Sequence, residues 1–186
     1  MTMFAKALPV KPLLTVALLI ASPAFGSEVE MAAKYGPALE NCYYNASDDA
    51  ARGACVGLLD ALCAIEEEVG EDPIGISMCL RAEESVWERL LAVEYELVSV
   101  ALARADAAHG DDLPEMRRRV ETLQAAQAAW RDFRAAECES RVAQYGGDLA
   151  RGDSILRSRC NVAMTARRAI ELRARLAPHG KPEMRP

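Results

Sequence analysis

Histidine is nearly missing from this 186-residue chain: only His109 and His179 occur. The first falls in a turn signal and the second in the C-terminal tail, so a Ser-His or Cys-His pair has no base to work with. No CxxC pair occurs and neither histidine stands near a cysteine pair, which denies a tetrahedral zinc site its usual spacing. A glycine-rich phosphate loop, an HExxH helix and a nucleophile elbow are also missing. Carboxylates are numerous, as at Glu66 to Glu68, Glu83 and Glu84, and Asp111 and Asp112. None is set apart as the fixed, partly desolvated couple that glycoside hydrolysis needs. The reading is a protein that is not an enzyme and holds no metal or cofactor.

Basic residues are also in deficit, 22 against 28 acidic, for a net charge of −6. Phosphate contacts need a basic surface, so nucleic acid is a poor partner. The same charge suits a cationic partner, and equally serves solubility. The cluster Arg117-Arg118-Arg119 is flanked by Glu115 and Glu121 and reads as an ion-paired exposed face.

Beyond residue 26 no run is long and apolar enough to cross a bilayer. Before it, Lys6 and Lys11 flank the apolar run Leu13 to Ile20, and Ala24-Phe25-Gly26 supplies small residues for a cut. Residues 1–26 therefore read as a secretory signal peptide. No cysteine follows the cut, which argues against a lipid anchor. The exported part would carry 20 basic and 28 acidic residues, or −8.

All six cysteines, Cys42, Cys55, Cys63, Cys79, Cys138 and Cys160, lie in that exported part. An even count in an oxidising compartment reads as three disulfides. Spacing ranks nearest-neighbour pairing first: Cys42–Cys55, Cys63–Cys79 and Cys138–Cys160. Each would close a loop of roughly 15–25 residues and stabilise by about 3 kcal/mol on the chain-entropy model.

Aromatic content is low, at 5%, while Ala, Leu, Glu and Arg dominate, which leans toward helix. Residues 28–41 read as a helix-prone start broken at Gly36-Pro37. Turn signals then separate short helical pieces up to Cys79, among them the stretch Asn45 to Asp49, which reads as a turn and helix cap. From Cys79 to about Ala108 neither Gly nor Pro interrupts a stripe of Trp87, Leu91, Glu94, Val98, Ala101 and Ala105, broadened by Leu97. A second stripe, Met116, Val120, Leu123, Ala126, Trp130 and Phe133, predicts a helix to about Tyr145 whose core face includes the last three. A loop from Gly146 to Ser154 precedes a third helix, about Ile155 to Leu176, with Leu156, Cys160, Ala163, Met164, Ile170 and Leu172 on one side. The expected fold is an all-α, disulfide-stapled bundle of two long antiparallel helices and a third, C-terminal one. Its units are a cysteine-rich helical extension at 27–78, a helical domain at 79–177 and a disordered tail at 178–186.

Three motifs carry a family resemblance. "CLRAEESVWERLLAVEY" places Cys79, Glu83, Trp87, Leu91 and Tyr95 at successive helical turns. "QAAWRDFRAAEC" supplies Gln127, Trp130, Phe133, Arg134 and Cys138, and "YGGD" a Gly-Gly turn. "CNVAMTARRAIEL" supplies Cys160, Thr165, Arg168 and Leu172. In this order they resemble the LprI-type lysozyme inhibitor family over roughly residues 79–176. The segment from Cys42 to Cys63 resembles the cysteine-rich extension of some exported members. The chain departs from the pattern at Ala92, where Asn is common, and at Asp148, where Ser is.

The resemblance implies a periplasmic or secreted helical protein that binds and inhibits lysozyme, a cationic partner that suits the acidic charge. A non-inhibitory structural or interaction protein of the envelope is the alternative it leaves open. Glu83, Gln127, Arg134, Thr165 and Arg168 then have two readings. They either form a paired network linking the helices or line a groove for the partner; their place beside the core stripes favours the network. For partner contact, the acidic loops point to Asp111, Asp112, Asp148, Asp153 and Ser154.

Overall fold

A computed structural model of the chain describes residues 27–108, 118–145 and 150–176. The expected signal peptide, the turn carrying Asp111 and Asp112, the Gly-Gly turn with Asp148 and the expected disordered tail at 178–186 lie outside these residues. Among the described residues the chain is helical: α1 (Glu28–Asn45), α2 (Asp49–Gly53), α3 (Leu58–Glu66), α4 (Pro73–Ala108), α5 (Arg119–Tyr145) and α6 (Ala150–Ala174).

Local chemistry sets the helix starts. Ser27 and Glu30 close a reciprocal capping box on α1. The Asp48 carboxylate accepts from the Ala51 amide to start α2. At α4, the Asp72 carboxylate accepts from the amides of Ile74 and Gly75, and Pro73 takes the first helical position, where a missing N–H costs nothing. The stretch Asn45 to Asp49 is thus the turn and cap expected of it. Helix α4 begins a turn and a half ahead of Cys79, because this cap extends it toward the N-terminus.

Helix α1 runs through Gly36-Pro37 without a break, against expectation. Pro37 is exposed, whereas Gly36 is buried against α4. A Cβ at Gly36 would stand 3.2 Å from the Val86 methyl, so the glycine serves close helix approach there and does not end the helix.

Helix α4 is the spine. Arg81 pairs with Glu28 at 3.4 Å and Arg89 with Glu40 at 3.0 Å, which fixes α1 parallel to it. Asn161 bonds Glu84 at 2.9 Å and Arg173 bonds Glu94 at 3.2 Å, so α6 is parallel to it as well. Helix α5 runs antiparallel, with Arg134 against Glu88 and Arg119 against Asp106. Trp87 is fully buried among these layers, with Tyr43 of α1 edge-on at 5.6 Å. Leu39, Leu59, Val86, Leu90, Ala166 and Leu172 complete the centre.

The disulfides join Cys42 to Cys55, Cys63 to Cys79 and Cys138 to Cys160, with Cα separations of 5.9, 5.7 and 5.5 Å. The nearest-neighbour pairing is correct. The first ties α1 to the end of α2, the second α3 to α4, and the third α5 to α6.

Several positions differ from the sequence reading. Ala126 is exposed, Phe133 is 58% exposed and Trp130 is half-buried, because α5 touches its neighbours along a narrow seam. That seam is Leu123, Gln127, Trp130, Arg134, Cys138 and Val142, and its middle is polar. On α4 the outward residues include Leu97 and Ala101, and on α6 Ala163. The loop expected to reach Ser154 is shorter: α6 starts at Ala150, so Asp153 and Ser154 are helical residues in its first turns.

Candidate functional site

The polar motif residues divide into two places. Gln127, Arg134, Thr165 and Arg168 meet where α5 crosses α4 and α6. The Arg134 guanidinium donates to the Glu88 carboxylate on one side and the Thr165 hydroxyl on the other. Arg168 donates through Nε to the Gln127 side-chain oxygen at 3.0 Å and reaches Glu171 at 3.5 Å. The Trp130 ring contacts both, 5.0 Å from the Arg134 guanidinium and 5.9 Å from that of Arg168. Gln127, Thr165 and Arg168 are buried while Glu88 and Glu171 reach solvent, so the seam is a ladder of alternating charge and dipole, buried in its middle and open at its edges.

Glu83 does not join that ladder. It faces the other side of α4, where its carboxylate accepts from the amides of Gly57 at 2.6 Å and Asp60 at 2.8 Å. The Trp87 indole N–H donates to it as well, at 3.1 Å. Gly57 sits in the left-handed region at φ +89° and has no side chain to cap α3. A carboxylate 26 residues further along the chain supplies the cap from outside, at the helix end where a negative charge is favoured. The expected five-residue network is therefore a four-residue one plus a separate cap.

A second buried acid, Glu94, is fully enclosed and bonded to Arg173. Burial holds its carboxyl above the usual carboxylate range, with Arg173 and Tyr43 pulling the other way. Burial, and then the Glu94 charge, push the Tyr43 phenol up in turn. Glu84 is likewise raised by burial, with its Asn161 bond opposing. Glu88 and Glu94 were readable in part. An acid in the apolar stripe at position 94 demands a buried partner, and Glu84 and Glu88 stand one turn apart on α4. Their partners on α5 and α6 lie too far along the chain for any local pattern to name.

Of the residues expected at a partner contact, Asp111, Asp112 and Asp148 lie outside the described residues. Asp153 and Ser154 are half-buried, and the Ser154 hydroxyl accepts from Ser77 of α4 at 3.4 Å. The structure does not bring these two to a loop tip.

The exposed chemistry lies beside the seam. Phe133, Glu137 and Arg141 of α5 face Met164, Arg167 and Glu171 of α6 across a groove of about 280 Å³ floored by Trp130. A wider groove of about 810 Å³ adjoins it across Arg167 and Glu171, which line both, and opens against Gly53 and Val56. The buried carboxylates Glu83 and Glu94 hold helices together, while these grooves present apolar floors with charged rims, which is the chemistry of binding. Among the described residues no helix is long and apolar enough to cross a membrane.

No curated protein and no solved structure matches the chain. A family model described as lysozyme inhibitor LprI matches residues 63–172, from the first cysteine of the α3–α4 disulfide to the last core leucine of α6. That span takes in Glu83, the seam and two of the three disulfides and covers more than half of the chain: the protein belongs to the LprI lysozyme inhibitor family.

Proposed function

We propose that this protein is exported to the cell envelope, where it binds and inhibits a lysozyme-type muramidase without chemistry of its own. Membership of the LprI family over residues 63–172 carries this reading. The three disulfides agree with an oxidising destination beyond the membrane, as does the signal-like segment at 1–26. The acidic charge would draw a cationic enzyme by long-range steering. A rigid stapled scaffold suits an inhibitor, because little entropy is lost when a fixed surface docks.

A turbidity assay tests it. The oxidised, signal-free protein is added to lysozyme and cell walls, and clearing is followed against molar ratio. Dose-dependent slowing with at least one lysozyme type is the expected result. Unslowed clearing at large excess with every type would leave a structural or interaction protein of the envelope. Clearing without added lysozyme would point to an enzyme.

A further inference from the structure

Phe133 is a large aromatic side chain left 58% exposed in a protein with few of them. It shares one outward row of α5 with Glu137 and Arg141, at four-residue steps. Trp130, which lines the groove, is contacted by the guanidiniums of Arg134 and Arg168. Opposite stand Met164 and Arg167 of α6. The Arg167 side chain is 83% exposed and is held by Glu171 at only 3.9 Å, so its guanidinium can turn to a partner at little cost. An aromatic anchor, a methionine and arginines around a concave apolar centre match the composition of an interface's energetic centre. The wider groove shares Arg167 and Glu171 with this one and adds Asp49 and Arg175 to small and aliphatic residues, but it has no aromatic to serve as anchor.

The geometry points to the α5–α6 groove as the surface that docks on the catalytic cleft of the muramidase, with Phe133 as apolar anchor and Arg141 and Arg167 facing the enzyme's acids. This rests on the inhibitor reading above. A muramidase cleft carries two carboxylates flanking the bond it cuts, and ring-binding clefts have apolar walls. The groove sets Arg141, Arg167 and Arg168 against Glu137, which pairs with Arg141 at 2.9 Å, and Glu171, so the arginines are in excess at contact range, whereas the acidity of the chain as a whole acts earlier, during approach.

The test measures inhibition constants for the wild type, F133A and R167E, with I65A on α3 as an exposed control. Each variant is also melted and checked for intact disulfides. F133A and R167E should each raise the inhibition constant by at least about tenfold with unchanged melting, and I65A should leave it alone. Inhibition should also compete with a soluble N-acetylglucosamine oligomer that fills the enzyme's cleft. Well-folded F133A and R167E that inhibit like the wild type, or inhibition indifferent to the oligomer, would overturn the groove and leave the inhibitor reading standing. A wild type that inhibits no muramidase removes both.

Discussion

The Trp87 indole N–H donates to the Glu83 carboxylate at 3.1 Å, and the same carboxylate caps α3 through the amides of Gly57 and Asp60. One family-motif acid thus orients the central tryptophan and anchors a helix from another part of the chain. Removing it leaves three donors without their acceptor. Glu83→Ala should cost about 3 kcal/mol or more, since each buried orphan costs about 1–3 kcal/mol. Urea melts check this, and a loss below about 1 kcal/mol would mean that water replaces the carboxylate freely.

The two tryptophans should differ. Trp87 is fully buried, so Trp87→Ala should cost about 3–5 kcal/mol. Trp130 is half-buried and contacts two guanidiniums, and Trp130→Ala should cost about 1–2 kcal/mol, partly through the lost cation–π contacts. Equal losses in parallel denaturant melts would contradict the open seam.

Glu94 gives a pH dependence. Its carboxyl is raised by burial in the folded state, so folding favours its protonated form. That contribution to stability is complete below the unfolded value of about 4.3 and is lost as pH rises through the folded value. Glu94→Gln lacks this loss. Its stability relative to the wild type should improve between about pH 4 and pH 7, read from urea midpoints. A relative stability that worsens over that range would mean that Arg173 outweighs burial.

The Cys138–Cys160 bond closes a loop with a sequence separation of 22 and anchors α5, whose seam is narrow. Replacing both cysteines by serine should cost about 3 kcal/mol. Amide exchange in residues 119–145 should speed up more than in α4. Uniform acceleration along the chain would show that α5 is not the weakly held element.

The sequence made the long helices of the second half and the cysteine pairs legible, because periodic stripes and short loops are local signals. It failed where a local sign had a distant cause. Gly36-Pro37 carries the signature of a helix break, yet Gly36 answers to Val86 on α4 and Pro37 points to solvent. Phe133 fits the three-and-four spacing as well as the true seam does, since adjacent helical faces share that spacing. The seam itself is polar at Gln127 and Arg134, so no apolar stripe marks it. Glu83 stands in the family motif, but the amides it caps are set by tertiary geometry.

Direct binding tests the inhibitor function most closely. The oxidised, signal-free protein is titrated calorimetrically into several purified lysozymes. Saturable binding to at least one of them is expected, with Kd at or below about 1 μM. Binding should weaken as salt screens the opposite charges. The absence of any saturable signal with every lysozyme, from protein whose three disulfides are intact, would contradict it.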